Sequence, residues 1–173
     1  QIAAFLEALW EQQREFEEEY LERDEEAFFE DNDDNTLDTF QDYLGKLSDD
    51  QRQWVHESSR GLLRSDQVWL QERALWLTQL ATLLEREPGW QQRVRAAISV
   101  RDDTVSPDYQ RVYEHNMDAI YQLIAQVLNA RSERQSRHLR DKLTDIRQDL
   151  ETLIAQGKTD TAARTDEPSN NSR

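Results

Sequence analysis

Apolar residues recur along most of this chain at alternating steps of three and four, the spacing that places them on one face of an α-helix. Polar and charged residues fill the positions between them, and one stripe has a polar interruption at Gln13. Two shorter apolar groups, around Trp54 and around Val94, add two more helices. The long stripes are Ile2, Leu6, Leu9, Phe16 and Tyr20; Leu37, Phe40, Leu44 and Leu47; Trp69, Trp76, Leu80 and Leu83; Tyr109, Tyr113, Ile120, Leu123 and Val127; and Leu139, Leu143, Ile146, Leu150 and Leu153.

Residues that start and stop helices stand between these stripes. The segments SDDQ, residues 48–51, and SERQ, residues 132–135, have the capping-box spacing, in which a Ser caps the first turn and a Gln reaches back to it. Ser106 followed by Pro107 is typical of an N-cap and a first-turn proline. Gly45 suits a left-handed cap at a helix C-terminus. These signals predict seven helices. The second ends near residue 45, and the others cover about residues 1–22, 48–60, 66–87, 90–98, 106–127 and 132–154.

The chain is therefore predicted to be all-α, with about seven helices and short connections in an antiparallel array or bundle. Only 4 Gly and 3 Pro are present, too few for the many turns of an all-β fold. Residues 1–156 are expected to form one helical domain, and stripes of this kind require neighbouring helices to cover them. Residues 157–173 contain no large apolar side chain and are predicted to be a disordered tail.

Charge divides the chain into two parts. The formal net charge is −15, and residues 1–50 carry all of it, with 18 Asp and Glu against three basic residues. Such an acidic end repels nucleic-acid phosphates and anionic lipid headgroups, so neither is an expected partner. A basic or cationic protein is the expected partner of this half. Because no Cys is present, disulfide and thiolate chemistry are excluded.

The acidic stretch DNDDNT, residues 31–36, resembles part of a calcium-binding EF-hand loop, with Asp31, Asp33 and Asn35 at ligand positions. Thr36 stands where the loop needs Gly, and Asp38 stands where an apolar anchor belongs. We therefore expect a solvent-facing acidic helix, comprising Asp31, Asp33, Asp34 and Asp38, that binds divalent cations weakly at most. The three His are far apart in sequence, and no metal, cofactor or catalytic residue is predicted.

An aromatic stripe is the other candidate site. Trp69, Arg73 and Trp76 lie at positions that put the guanidinium between two indoles on one helix face. This is expected to be a core stripe, with Arg73 stacked on rings and paired with a carboxylate; the alternative is a ligand-binding aromatic groove. Tyr109 and Asn116 lie on a second helix. Asn116 is expected to hydrogen-bond the backbone of a neighbouring loop, because a buried amide without partners costs about 1–3 kcal/mol.

The order of several segments resembles a known family. EFEEEY at residues 15–20, DYLGKLSDDQ at 42–51, WLQERALWLTQLATLLER at 69–86 and SPDYQRVYEHN at 106–116 are similar to the all-helical, domain-of-unknown-function lipoproteins of proteobacteria. The resemblance covers about residues 1–156 and corresponds to the C-terminal part of that family. It implies a periplasmic protein tethered to the outer membrane through an N-terminal lipid anchor that is missing here. It implies no catalytic residue, and relatives carry more Arg and Glu where this chain has DNDDNT.

These observations favour a non-enzymatic envelope protein whose function is interaction with a protein partner. One alternative is a periplasmic chaperone or foldase, since a curved helical array with exposed Trp or Leu could clasp an unfolded client. A hydrolase is the third hypothesis, and it requires polar side chains that converge in one cleft.

Overall fold

The structure is a computed structural model that describes the backbone of residues 1–165 and the side chains of residues 1–101 and 104–156. Within this part the chain forms seven α-helices, one 3₁₀ turn at Arg101–Thr104 and no β-strand, which confirms the all-α prediction. The predicted disordered tail, 157–173, lies outside the described side chains, and from residue 166 on it lies outside the described backbone as well. The helices are α1 (Ile2–Glu22), α2 (Glu25–Leu44), α3 (Asp49–Arg60), α4 (Asp66–Leu83), α5 (Trp90–Ser99), α6 (Pro107–Asn129) and α7 (Glu133–Thr165).

Most helix ends follow the predicted chemistry. The Ser48 hydroxyl accepts a hydrogen bond from the Gln51 backbone N–H, and the Gln51 side-chain oxygen accepts one from the Ser48 backbone N–H. The capping box at 132–135 and the N-cap at Ser106 form as predicted. Two helix ends were wrong: α7 continues to Thr165 instead of ending near residue 154, and α4 ends at Leu83 instead of near residue 87. The chain turns at Arg86, which has a positive φ of 61°, before Pro88 disfavours helical geometry in the preceding residue.

Gly45 ends α2 with a positive φ, as predicted, but outside the left-handed helical region. Its φ is 71° and its ψ is −144°, a combination that is open to Gly and strained for any residue with a Cβ. Its amide donates to the Gln41 carbonyl and thereby closes the helix. The predicted left-handed cap is therefore wrong in its ψ angle. The chain turns directly into Lys46 and the cap of α3 at this point.

Replacing Gly45 with Ala is expected to lower the free energy of unfolding by about 1–3 kcal/mol, because the backbone strain appears whatever space is available. A Cβ at this position would meet the His138 ring at 3.6 Å, an ordinary contact, so a clash is not the cause. Urea unfolding followed by circular dichroism measures the loss. Gly61→Ala is the control, since Gly61 has φ −86° and ψ −9° and should lose less. Equal losses in the two variants would contradict this explanation.

The helices form an open array in which each neighbour pair is well defined. Through the described residues α1 packs on α4, α4 on α6, α6 on α3, α3 on α2, and α2 on α7, while α5 and the 3₁₀ turn lie beside α4. The main core lies where α2, α3 and α6 meet, and it consists of Phe40, Leu44, Leu47, Val55, Leu123 and Val127. As a result α1 and α7 occupy the two ends of the array. The backbone of α7 approaches that of α2 alone among the helices described.

The two capping boxes lie against each other in the interior. Gln51 and Gln135 are both buried. The Gln135 side-chain amide donates to the Gln51 carbonyl oxygen at 2.7 Å and to the Lys46 backbone carbonyl at 3.1 Å. Gln51 in turn approaches the Gln135 oxygen at 3.4 Å. The residues that cap α3 and α7 therefore also join these helices to each other.

A second polar cluster ties α1, α2 and α4 together. Asp66, the first residue of α4, is only 5% exposed and accepts hydrogen bonds from Arg23 at 2.6 and 3.1 Å and from Arg64 at 3.0 Å. Arg23 also lies over the rings of Tyr20 and Phe28. The hydrogen bonds that Arg23 donates to Asp66 raise the pKa of Arg23 above its usual value, so the guanidinium stays charged.

Candidate functional site

An apolar groove lies between α2, α6 and α7 and has a volume of about 570 Å³. We call it the apolar groove. At its mouth Tyr43 and Ile124 are each about 37% exposed, and Tyr121 beside them is 61% exposed. Its floor continues into the main core through Phe40 and Leu123. The residues that line it are Asn35, Thr36, Thr39, Phe40, Tyr43, Leu44, Ile120, Leu123, Ile124, Leu128, Leu139 and Leu143.

The leucine stripe of α7 extends this groove along the helix. Leu139 packs at the edge of the main core, but further along α7 Leu143, Leu150, Leu153 and Ile154 are 52%, 54%, 62% and 58% exposed. The sequence predicted neighbouring helices for this stripe. Among the described residues no other helix lies against its second half, so that expectation is wrong there. The apolar surface of the groove and of α7 is continuous and faces solvent.

One ion pair holds α7 to α2 at the closed end of the groove. The Lys142 amine lies 2.6 Å from a carboxylate oxygen of Asp42 and above the ring of Tyr43. The hydrogen bond that Lys142 donates to Asp42 raises the pKa of Lys142, and the nearby charge of Asp145 adds to this effect. His138 approaches the Asp42 backbone carbonyl at 3.2 Å. These contacts hold the start of α7 against α2, whereas Leu150, Leu153 and Ile154 on its later turns are exposed.

The predicted aromatic site lies in a second groove, of about 790 Å³, between α1, α4 and the start of α6. Trp69, Arg73, Trp76 and Tyr109 all line it, so the structure brings together four of the five residues predicted from the two stripes. Asn116 lies elsewhere, against the loop between α3 and α4. The second groove is mixed in character, because Glu72, Arg73 and Arg101 line it beside the aromatic rings.

Arg73 does not take the predicted place between the two indoles. Its guanidinium lies over the ring of Phe16 at 5.0 Å and donates to the amide oxygens of Gln12 and Gln13 at 2.7 and 2.6 Å. The expected carboxylate partner is thus replaced by two side-chain amides on α1, because α1 is the helix that packs against this face of α4. Trp76 instead receives the guanidinium of Arg101 at 4.9 Å.

The remaining polar groups of the second groove hold helices together. A Glu72 carboxylate oxygen accepts a hydrogen bond from the Ser106 amide at 2.9 Å, which joins α4 to the start of α6. Trp69 packs against Phe16 and Tyr20 of α1. Tyr109 is stacked on Tyr113. These contacts agree with the interpretation of the stripe as part of the packing between α1, α4 and α6.

Asn116 does what the sequence predicted. Its amide oxygen accepts from the Leu63 backbone N–H at 2.8 Å, and its amide nitrogen donates to the Leu63 carbonyl at 2.9 Å. One side chain therefore satisfies both backbone groups of a loop residue. His115 adds a contact to the Gly61 carbonyl at 2.9 Å. This part of α6 is a structural clamp on the α3–α4 loop.

The DNDDNT segment lies inside the continuous helix α2, so it cannot wrap a cation as an EF-hand loop does. Asp34 and Asp38 are exposed, in agreement with the prediction of a solvent-facing helix. Asp31 pairs with Arg23. Asp33 departs from the prediction, because it is largely buried and faces His56 at 3.7 Å from its second oxygen. In the described part no group of three His, Asp or Glu residues is arranged to hold a metal ion.

The apolar groove is the site that sequence reasoning missed. Its signal was present in the strict alternation of steps of four and three from Leu139 to Leu153, which is the pattern of a helix that pairs with one other helix. The wide apolar face of α6, which includes both Leu123 and Ile124, was a second signal. A helix that packs against a single neighbour needs a narrower apolar face than that of α6.

Comparisons with known proteins add no relative. None of the helices within the described residues combines the length and the apolar character that crossing a membrane requires. No family model, no curated protein and no solved structure matches this chain.

Proposed function

We propose that this protein is a non-enzymatic interaction protein that receives an α-helix of a protein partner in the apolar groove. The observation that carries the proposal is the continuous apolar surface formed by the groove and by Leu143, Leu150 and Leu153 of α7. Soluble proteins rarely leave contiguous apolar surface of this kind uncovered unless it binds something. An amphipathic helix laid into an apolar groove is a common mode of peptide recognition.

The spacing on α7 supports a helix as the occupant. Leu139, Leu143, Ile146, Leu150 and Leu153 follow the steps of a coiled-coil seam, in which side chains of one helix fill gaps on a facing helix. The stripe spans 14 residues, or about 21 Å at 1.5 Å per residue, so an occupant of roughly four turns could cover it. The second groove is larger but more polar, and its Arg73 and Glu72 are already bound to α1 and α6.

The test uses a designed 21-residue amphipathic peptide with leucine at steps of three and four and with Gln at the flanking positions. The double variant Leu150→Ser with Leu153→Ser should bind the labelled peptide about 30-fold more weakly, since two partly exposed leucines contribute about 1 kcal/mol each on burial. Fluorescence anisotropy measures the affinity. Both side chains are more than half exposed, so the fold should be unaffected.

Leu75→Ser provides the control, because Leu75 is 64% exposed but lies on α4 in the second groove. It should leave the affinity within about two-fold of the original, as expected for a surface substitution away from the site. Equal losses in the two proteins, or no binding of the peptide at all, would overturn the proposed function.

A chaperone or foldase is the second candidate function, and the exposed leucines of α7 favour it, since such a protein needs apolar surface to hold a client. The two functions differ in selectivity. A chaperone should suppress light scattering by an aggregating client at stoichiometric concentrations, and the Leu150→Ser, Leu153→Ser variant should lose that suppression. Unchanged scattering in the presence of the original protein would remove this candidate.

We further propose, from the resemblance of sequence motifs alone, that the protein works in the periplasm at the outer membrane. This location would place the groove among envelope proteins. Fractionation of cells that express the full-length gene, with detection in the outer-membrane fraction, tests the location independently of the groove.

A further inference from the structure

We infer that the occupant of the apolar groove is a basic amphipathic helix, with Lys or Arg on both sides of its apolar stripe, from a protein other than this one. The inference rests on the proposed function, because it names the chemistry of the partner at the same site. The evidence for it is the set of charged residues along the borders of the groove, because the apolar lining does not indicate the charge of the occupant.

All three helices of the groove carry carboxylates beside the apolar lining. On α2, Asp38 and Asp42 are one helical turn apart, so they share the side of the helix that is turned towards α7. Thr39, which lines the groove, lies next to them. On α7 Asp145 and Asp149 follow Lys142 at steps of three and four, so they share the side that meets α2. On α6 Glu114 and Asp118 lie two turns and one turn, respectively, before Tyr121 and Gln122, on the outer side of that helix.

Most of these carboxylates are exposed and free to pair with a cation. In the described part of the chain Asp42 forms an ion pair, with Lys142, whereas Asp38, Glu114, Asp118, Asp145 and Asp149 have no basic group within 4.0 Å. The basic residues on the open side of α7 are Arg140 and Arg147, and Arg147 lies 3.8 Å from Glu151. The border is therefore acidic along α2 and α6, and Lys or Arg of an occupant would find partners on these two sides.

The same charges disfavour further packing of α7 on α2 beyond the ion pair between Lys142 and Asp42. Lys142 and Asp42 attract each other at the closed end of the groove. The next positions that face each other carry Asp38 on α2 and Asp145 and Asp149 on α7, all of one sign. Like charges on neighbouring positions disfavour close packing. A helix that brings Lys or Arg between them relieves this repulsion while its apolar side covers Leu143 and Leu150.

Charge also decides against a second copy of this chain as the occupant. Each copy has a formal charge of −15, so two copies repel at a distance. A basic helix, in contrast, is attracted by the whole molecule and by the local border.

The test compares three labelled peptides with the same leucine stripe and with Lys, Gln or Glu at the flanking positions. In 50 mM NaCl the Lys peptide should bind the full chain about 10-fold more tightly than the Gln peptide, and the Glu peptide about 10-fold more weakly, as several exposed charge pairs contribute. In 500 mM NaCl the differences should shrink to about two-fold because salt screens exposed charges. Anisotropy titrations give all six affinities.

Charge reversal locates the effect. Asp145→Lys with Asp149→Lys should weaken binding of the Lys peptide about 10-fold and leave the Gln peptide within about two-fold, since the apolar contacts are kept. The matched control is Glu15→Lys with Glu18→Lys on α1, which makes the same change of net charge on exposed residues at the other end of the array. The control should leave the Lys peptide within about two-fold.

Each outcome separates this inference from the proposed function. Equal affinities of the Lys and Gln peptides, or a preference for the Glu peptide, would overturn the basic occupant while the proposed helix docking stands. Failure of all three peptides to bind overturns the docking function itself. A dimer in sedimentation velocity that is lost on Leu150→Ser with Leu153→Ser would show that a second copy occupies the groove, against the inference. Equal losses in the two charge-reversal variants would show that net charge, not the border, controls binding.

Discussion

The Asp66→Ala variant is expected to lose about 3–5 kcal/mol of unfolding free energy, because removing one partner leaves buried charge uncompensated. The Asp66 carboxylate receives hydrogen bonds from both Arg23 and Arg64, and the side chain of Arg23 is only 16% exposed. Without Asp66 the Arg23 guanidinium keeps Asp31 and two aromatic rings as neighbours. Urea unfolding monitored by circular dichroism measures the loss.

Asp108→Ala is the matched control, since Asp108 also lies in the first turn of a helix but is exposed and pairs with Arg111 at 3.4 Å. Its loss should stay below about 1 kcal/mol, the usual range for an exposed ion pair near a helix N-terminus. A small loss for Asp66→Ala as well would mean that water replaces the carboxylate at the junction of α1, α2 and α4.

The Gln51→Leu and Gln135→Leu variants should each lose about 2–4 kcal/mol, because each removes a cap and leaves buried polar groups without a partner. In Gln51→Leu the Ser48 amide and the Gln135 side chain lose their acceptor. The double variant should lose about 1–2 kcal/mol less than the two single losses together, since the residues share one hydrogen-bonded unit. Urea unfolding of the four proteins of this cycle measures the coupling.

Gln53→Leu is the control for this cycle. Gln53 lies two residues from Gln51 on the same helix, but it is exposed and donates to Glu57. It should change stability by less than about 0.5 kcal/mol. Simple addition of the two single losses would instead show that the capping boxes act separately, in spite of the 2.7 Å contact between their side chains.

The helices and their starts could be predicted from the sequence because their causes are local. The spacing of apolar residues, the Ser and Gln of each capping box and the proline after Ser106 act within one or two turns. Asn116 was predicted for a related reason: a polar residue inside an apolar stripe must find a partner, and a loop backbone is the nearest candidate. The end of α4 was mispredicted because the turn at Arg86 precedes the proline that signals it.

The contacts between helices could not be predicted in the same way. Arg23 and Asp66 are 43 residues apart in sequence, and nothing local marks them as partners. Arg73 was assigned to the indoles on its own helix, whereas packing against α1 gives it Phe16 and two glutamines. The groove depends on which stripe stays uncovered. That follows from the order of helices in the array, which the spacing within each helix does not contain.

Gln13 illustrates how a regular stripe acquires a single alignment. Apolar stripes with steps of three and four could slide past each other by one turn and still bury their side chains. Gln13 is 1% exposed, donates to the Leu70 carbonyl and accepts from Arg73, so one alignment of α1 on α4 satisfies it. Shifted by a turn, the amide would be buried against apolar side chains at a cost of about 1–3 kcal/mol. The polar interruption in the first stripe therefore sets the register of the α1–α4 pair. A single buried polar residue makes one alignment of the two helices more stable than the others.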